Sequence, residues 1–283
     1  MNIITQFHEA YPIHAHTHAI IDRIIYPDLP REWDAMPIVT EVTSPQEHLY
    51  PYLIELKNIE SESLFILEKI ISESKEKAGI LLIRSSFDKD TLKSLLANNL
   101  IYSLNSGDNY FLRYYDYHVL LQLIRILTSI DLFSKFKSIG VDYVTFYSSY
   151  GNRTYIPINI IGEVVNETPI LNRLLNIGII NISIKKLNKK LDIIEYFRLS
   201  DFLENKITIA RNDFSLTNMK DICAFITHSI LIHEFYYHSP QVDKILKEAK
   251  NCPGYFCETL ALVSNEDWDN ILRYCEKYEI IKE

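Results

Sequence analysis

The sequence predicts a two-lobed protein of the α/β class (mixed α+β), with a mixed sheet and helices in the first lobe and mainly helices in the second. Short strand-like runs alternate with helical apolar stripes in the first part of the chain, and helical stripes dominate the remainder. With 283 residues and 47% hydrophobic content, the chain can bury one large core or two modest ones. No linker rich in Pro, Gly or Ser marks a boundary, and we place the lobes at 1–140 and 141–283.

The predicted elements of the first lobe alternate between strands and helices. In chain order they are a strand at 18–22, a loop spaced by prolines, a helix near 64–71, a strand at 80–83, a helix from 88 and strands at 101–104 and 110–115. The segment 105–108, Asn-Ser-Gly-Asp, is a turn signal, so the last two strands are predicted to form a hairpin.

The junction after this hairpin predicts a strand that runs straight into a capped helix. Phe111, Arg113 and Tyr115 alternate with their neighbours, as strand residues do. The period then changes to that of a helix, with an apolar stripe at Leu120, Leu123, Ile124 and Leu127. Asp116 precedes the helix and is predicted to be its N-cap, because a carboxylate there accepts hydrogen bonds from the free amides of the first turn.

The second lobe is predicted to begin with strands on either side of Gly151 and to continue as helices. A short helix is expected at 167–176, a longer one from Ser215 or Thr217 towards Pro240, and a terminal one at 265–283. The inner face of the terminal helix is predicted to carry Trp268, Leu272 and Cys275.

Composition and charge argue against several functional classes. A net charge of -8 does not suit a surface that binds nucleic acid, because phosphate neutralisation needs clustered Lys and Arg. Four cysteines, all in the last quarter of the chain, are not typical of a disulfide framework or a zinc site. The first residues lack the pattern of a signal peptide, and no apolar run reaches membrane-span length. We therefore expect a soluble cytoplasmic protein with no nucleic-acid or membrane partner.

Glycine usage argues against the common nucleotide-binding and serine-hydrolase motifs. The chain has only 7 glycines, and no two are closer than eleven positions apart. A P-loop, a dinucleotide-binding G-x-G-x-x-G and a G-x-S-x-G elbow all need closely spaced glycines. We accordingly predict no catalytic residues and no cofactor.

The run His14-Ala-His16-Thr-His18 is the strongest indication of an enzyme. On a strand, three imidazoles at this spacing would project from one face, as the nitrogen ligands of metal-dependent hydrolases do. The alternative function is thus a metal-dependent hydrolase built on His14, His16 and His18, with His118 as a further candidate ligand. A polar strand face is the simpler interpretation, and we assign no metal ligands.

Four segments resemble, in order, the bacterial family called domain of unknown function 4123. The family motif F-R-[FY]-[YF]-D-P-R-[VL]-[LM] is matched at Arg113, Tyr114, Tyr115, Asp116, Val119 and Leu120. This sequence departs from it at two positions, where Tyr117 replaces the proline and His118 replaces the second arginine. Residues 18–22, which end in Asp22, resemble the family motif A-L-[LIV]-D. Residues 51–56, which begin with Pro51 and Tyr52, resemble P-Y-L-[VI]-x-L. Residues 79–86, followed by Leu92 and Leu95, resemble a strand, serine and helix of the family. The likeness covers roughly residues 14–140.

This resemblance implies a function that composition does not reveal. Characterised members of the family are similar to chaperones, also called adaptors, of type VI secretion effectors. The resemblance therefore implies a non-enzymatic adaptor that binds a secreted toxin effector and loads it onto a valine-glycine repeat (VgrG-type) spike protein. It also implies structural or partner-binding roles for Asp22, Pro51, Tyr52, Arg113, Tyr114, Tyr115 and Asp116. Nine of the 19 tyrosines lie in three clusters, at 114–117, 143–155 and 236–237, that suit a binding surface.

Overall fold

The computed structural model describes the backbone of residues 6–57, 59–73, 79–103, 109–127, 129–157 and 167–282. The chain folds into two units. The first comprises Met1–Ile170 with Leu191–Ile194, and the second comprises Leu171–Lys190 with Glu195–Glu283.

The first unit is built on a seven-stranded sheet in which every neighbouring pair is antiparallel. The strand order is β1-β9-β8-β5-β2-β4-β3. The strands of this sheet are β1 Phe7–Glu9, β2 His18–Ile21, β3 Met36–Pro37, β4 Tyr52–Glu55, β5 Ile80–Ser85, β8 Val141–Phe146 and β9 Arg153–Tyr155. Two further strands, β6 Ile101–Ser103 and β7 Asn109–Phe111, form a separate two-stranded sheet.

The central strand β2 is buried on both faces, because its alternate residues enter two apolar layers. Ala19 and Ile21 belong to one layer, which also contains Trp33, 3% exposed. Ile20 lies on the opposite side and lines an apolar cavity of about 60 Å³ together with Leu96 and other residues. The strand pairs Ile21 with Tyr52 on one side and with Ile80 on the other.

Helices cover the sheet of the first unit and make up most of the second. In the first unit they are α1 Ser61–Glu73, α2 Lys89–Asn98, α3 Tyr117–Ile126 and α4 Ser129–Ser138. The later ones are α5 Glu167–Lys186, α6 Ile193–Asn212, α7 Met219–Leu231, α8 Pro240–Ala249, α9 Tyr255–Leu260 and α10 Asn265–Lys282. The predicted mixed α/β class, with helices concentrated towards the C-terminus, is confirmed. Within the described residues, no helix combines the length and the apolar content that crossing a membrane requires.

The hairpin and its junction differ from the sequence prediction in one respect. β6 and β7 pair as expected, with Ile101 opposite Phe111, whereas the predicted turn at 105–108 lies outside the described residues. The strand predicted to reach Tyr115 ends at Phe111. The following residues form a turn, in which the amide of Asp116 donates to the carbonyl oxygen of Arg113 over 2.9 Å. In this turn Tyr114 and Tyr115 both pack into the protein, whereas in a strand they would point to opposite faces of the sheet.

The division between the units is offset from the predicted boundary at 140. Strands β8 and β9 follow that boundary, yet they belong to the first sheet, where β8 pairs with β5 through Leu82 and Thr145. The first unit accordingly extends to Ile170. Gly140 has a φ of 65°, so it forms a tight turn between α4 and β8 and not a linker.

Two buried charged residues organise the second unit. The carboxylate of Asp221, on α7, accepts the amides of Gly254 over 2.7 Å and Cys257 over 2.8 Å, at the start of α9. The ammonium of Lys206, on α6, donates to the carbonyl oxygen of Glu234 over 2.8 Å and to the hydroxyl of Tyr237 over 3.2 Å. These hydrogen bonds compensate for the burial of both charges and tie the loops to the helices.

Candidate functional site

A buried aspartate at the end of β2 holds a partly exposed arginine. Asp22 is 1% exposed, and its Oδ2 accepts a hydrogen bond from a terminal guanidinium nitrogen of Arg113 over 2.8 Å. Its Oδ1 accepts the amide of Ile24 over 2.9 Å, so both carboxylate oxygens are used. The Arg113 side chain is 41% exposed. A guanidinium has five N–H donors, so Asp22 fixes this side chain while leaving donors for an external acceptor.

An aromatic ring supports the arginine from inside the protein. The guanidinium carbon of Arg113 lies 5.4 Å from the ring centroid of Tyr115, within the range of a cation–π interaction. Tyr115 is 1% exposed, and burial raises the pKa of its hydroxyl to about 12. The phenol therefore stays neutral at physiological pH, and the positive charge of Arg113 is balanced by Asp22 alone within this trio.

Exposed apolar side chains lie close in the chain to Asp22, to Arg113 and to Tyr50. Phe111 is 43% exposed and meets the ring of Tyr50 edge-on, with centroids 5.0 Å apart. Next to Tyr50 and Asp22 along the chain, Leu49 is 43% exposed and Ile24 is 57% exposed. We call the surface formed by Ile24, Leu49, Tyr50, Phe111 and Arg113 the Arg113 face.

Pro51 and Tyr52 lead from this face into the sheet. The carbonyl oxygen of buried Pro51 accepts the amide of Ile38 over 2.8 Å. Tyr52 pairs with Ile21, the residue before Asp22, and its ring centroid lies 4.7 Å from the guanidinium carbon of Arg23. Pro51 and Tyr52 thus help to position β2, the strand that ends beside Asp22. The side chain of Tyr52 is half-buried.

Tyr114 and Asp116 have structural roles in this arrangement. The hydroxyl of Tyr114 donates to the carbonyl oxygen of Leu96 over 2.9 Å, which ties the junction to α2. Burial raises the pKa of this hydroxyl well above its usual value. Asp116 is the N-cap of α3, as predicted, and its Oδ1 accepts the amide of His118 over 2.9 Å.

His118 belongs to a second aromatic group beside the cap. Its Nδ1 lies 3.1 Å from Asp116 Oδ1, and its ring stacks on Tyr117 at a centroid distance of 4.0 Å. Tyr150 meets both rings edge-on. This packing gives His118 a structural role in the start of α3.

The three histidines of the 14–18 run do not share a strand face, which corrects the sequence expectation. His14 lies in a short 3-10 turn and is exposed, whereas only His18 belongs to β2. The turn begins after Pro12, which has an extended backbone with a ψ of 153°. His16 is buried, with its Nε2 2.7 Å from Thr145 Oγ1 and its Nδ1 3.1 Å from the carbonyl oxygen of Pro12.

Chemically, the Arg113 face is suited to binding. Arginine and aromatic side chains are enriched at protein interfaces and carry much of their binding energy. Across the residues that the structure describes, no three His, Cys, Asp or Glu side chains are grouped as metal ligands would be. The ion pair between Asp22 and Arg113 joins positions 91 residues apart. The sequence identified both residues as candidates but did not predict that they form an ion pair. It missed Tyr50, whose contact with Phe111 has no local pattern in the sequence.

Comparison with known proteins finds a family match over the segment that carries this face. Residues 17–132 match the model of a family described as a domain of unknown function (DUF4123). The matched segment contains Asp22, Pro51, Tyr52 and the whole Arg113 face. No curated protein and no solved structure matches the chain.

Proposed function

We propose that the protein is a non-enzymatic bacterial adaptor that binds a toxin effector of a type VI secretion apparatus and loads it onto the spike protein. It acts in the cytoplasm, before the effector is delivered. The observation that carries this proposal is the Arg113 face, because it joins a fixed, half-exposed cation to exposed aromatic and aliphatic side chains. The family match over residues 17–132 supports it, since the same segment carries the four motifs that resemble effector chaperones.

The geometry fits the requirements of an adaptor. An adaptor must recognise a partner without changing it, so it needs a surface with apolar area and an oriented polar group. Phe111, Leu49 and Ile24 supply exposed apolar area. Arg113, held by Asp22, supplies a cation that can bind a carboxylate or a carbonyl oxygen of the partner with little loss of side-chain entropy.

Co-expression with the products of the neighbouring genes tests this function. The protein should form a complex with the adjacent toxin or spike protein that survives gel filtration and buries on the order of 1,200–2,000 Å². It should also raise the soluble yield of the toxin, because it covers apolar surface that would otherwise aggregate. Deletion of the gene should abolish delivery of that toxin while other effectors are still secreted. Normal secretion of the toxin, with no complex, would refute the adaptor function.

Metal analysis separates the adaptor from the alternative hydrolase. The adaptor needs no bound metal, whereas a hydrolase built on His14, His16 and His18 needs at least one ion per chain to assemble its site. Elemental analysis of protein purified without chelator distinguishes the two. About one equivalent of zinc, manganese or iron per chain, lost together with thermal stability on chelation, would favour the hydrolase.

A further inference from the structure

Helix α5 presents an apolar stripe on its exposed side. Leu175 is 40% exposed and Ile182 is 54% exposed, and Gly178 lies between them. Among the described residues, and apart from the adjoining backbone of α5 itself, no atom lies within 4 Å of the position that a Cβ would take at Gly178, so this part of the helix is open to an approaching backbone. The other side of α5 is buried and carries Ile177, Ile180 and Ile184.

The spacing of the stripe is that of a helix-pairing seam. Leu171, Leu175, Gly178 and Ile182 are separated by steps of four, three and four residues, which is the alternation of d and a positions in a heptad repeat. At about 100° per residue, all four stay within one narrow sector of the helix. Surface helices usually bury such a stripe.

A cluster of positively charged side chains lies at the C-terminal end of the stripe. Lys185 occupies its next position, and Lys186, Lys189 and Lys190 come directly after it, all exposed. The chain as a whole has a net charge of -8, so this cluster contrasts in sign with the rest of the molecule. Lysines at a helix C-terminus stabilise that helix through its dipole, but Lys189 and Lys190 lie beyond the last residue of α5.

We propose that this stripe binds an amphipathic helix of a partner protein, packed antiparallel to α5, with acidic residues in its first turn. Apolar residues of the partner helix, spaced as in a heptad, cover Leu175 and Ile182, and its backbone approaches closest at Gly178. The antiparallel direction places the acidic first turn beside the lysine cluster. That arrangement satisfies both charge pairing and the preference of carboxylates for helix N-termini.

Charge disfavours a parallel pair of copies of this chain, and size favours a single helix over a second folded copy in either direction. Two copies packed in parallel would bring their lysine clusters together, and like charges at close range repel. The stripe spans two heptads of one helix, far less surface than the about 1,200 Å² that a stable interface between two folded proteins buries. The stripe also lies outside residues 17–132, so the proposal concerns a second surface and stands independently of the Arg113 face.

A pair of synthetic peptides tests the proposal with the full-length protein. The first is an amphipathic helix of about three heptads, with leucine at a and d and glutamates in the first turn. The second is identical except that lysines replace those glutamates. Fluorescence anisotropy should show that the acidic peptide binds about tenfold or more tightly than the basic one. Equal binding of the two peptides, or no binding of the acidic peptide, would overturn the proposal.

Matched variants locate the site. Leu175→Ser with Ile182→Ser should weaken binding of the acidic peptide by about tenfold or more, whereas Leu231→Ser, at a residue 53% exposed on α7, should leave it unchanged. Lys185→Glu with Lys189→Glu should reverse the preference between the two peptides, and Lys244→Glu with Lys250→Glu should not.

Circular dichroism confirms that each variant is folded, and sedimentation equilibrium records its oligomeric state. The double serine variant should sediment as the wild type does. If it binds the acidic peptide as the wild type does, or if the wild type forms a dimer that the double serine variant abolishes, the occupant is not the proposed helix.

Discussion

Asp22 in the first unit and Asp221 in the second are both 1% exposed, but their carboxylates hold different kinds of partner. Asp221 accepts hydrogen bonds from two backbone amides, those of Gly254 and Cys257. Asp22 accepts one backbone amide with one oxygen and the guanidinium of Arg113 with the other. The first arrangement closes a loop onto a helix, and the second also holds a side chain that remains open to the outside.

The difference shows how a buried charge can be structural in one place and functional in another. A carboxylate satisfied by backbone amides alone should affect only the free energy of unfolding, since it orients no side chain that could bind a partner. A carboxylate that orients a half-exposed arginine affects stability and also the affinity for whatever that arginine binds. Substitutions at the two positions should therefore separate these two quantities.

The largest expected loss of stability is at Asp221. Asp221→Ala leaves two buried amide donors without an acceptor, and we expect the free energy of unfolding to fall by about 2–5 kcal/mol. Asp221→Asn retains one acceptor oxygen and should lose less. Urea denaturation measures both, and a loss near zero for the alanine variant would mean that the amides find other acceptors. The comparison would break if folded Asp221→Ala bound the partner of the Arg113 face more weakly than the wild type.

Substitution of Asp22 should reduce stability less than substitution of Asp221, but it should weaken partner binding more. Asp22→Ala should lower the free energy of unfolding by about 1–3 kcal/mol, because water can solvate the half-exposed Arg113 once it is released. A double-mutant cycle with Arg113→Ala should give a coupling of about 0.5–3 kcal/mol. Denaturant melts of the four proteins supply the cycle. Additive effects of the two single changes would show that the ion pair contributes nothing to the position of Arg113.

Asp116 is a capping aspartate, so its effect should depend on hydrogen-bond geometry and not on charge. Asp116→Ala should lower the free energy of unfolding by about 0.5–2 kcal/mol, and Asp116→Asn or Asp116→Ser should recover most of it. Denaturant melts distinguish these outcomes. If the Asn and Ser variants fold as the wild type does yet lose partner binding as completely as Ala, the carboxylate has a functional role.

The smallest effect should appear in the pH dependence of stability. Burial lowers the pKa of His16 and His18 in the first unit and of His228 in the second. Below about pH 6.5 the unfolded chain takes up protons on these histidines more readily than the folded chain, so stability should fall with pH there and be fully present above. Urea melts between neutral pH and about pH 5 test this. A free energy of unfolding that increases as the pH is lowered from neutral to about 5 would contradict the prediction that these histidines are buried in their neutral form.

Features with a local cause were predicted correctly from the sequence. The Asp116 cap needs only the change of period after Tyr115 and a side chain that reaches the amide two residues further along. The strand at 18–22 and the helix ending near Lys282 also follow from apolar patterns within a few residues. Such local sequence patterns predict structure reliably because the contacts they reflect are between residues close together in the chain.

Features that depend on distant residues were not predictable in this way. The pairing of β8 with β5 and the contact between Tyr50 and Phe111 join segments whose own patterns do not specify a partner. The turn that displaces His14 from the strand arises similarly, since buried His16 bonds Thr145 on β8. Asp22 and Arg113 were identified through two separate family motifs, but their ion pair depends on the fold of the whole unit.

The affinity of the purified cognate effector or spike protein for variants of the Arg113 face tests the central claim most directly. Arg113→Ala and Phe111→Ser should each weaken binding by about tenfold or more, as removal of interface anchors does. Arg84→Ala on β5 and Phe65→Ser on α1 replace exposed residues of the same types outside the face and should bind as the wild type does. Isothermal titration calorimetry measures all five proteins under one condition. Wild-type affinity in both Arg113→Ala and Phe111→Ser would show that the partner binds elsewhere and would contradict the assignment of this face.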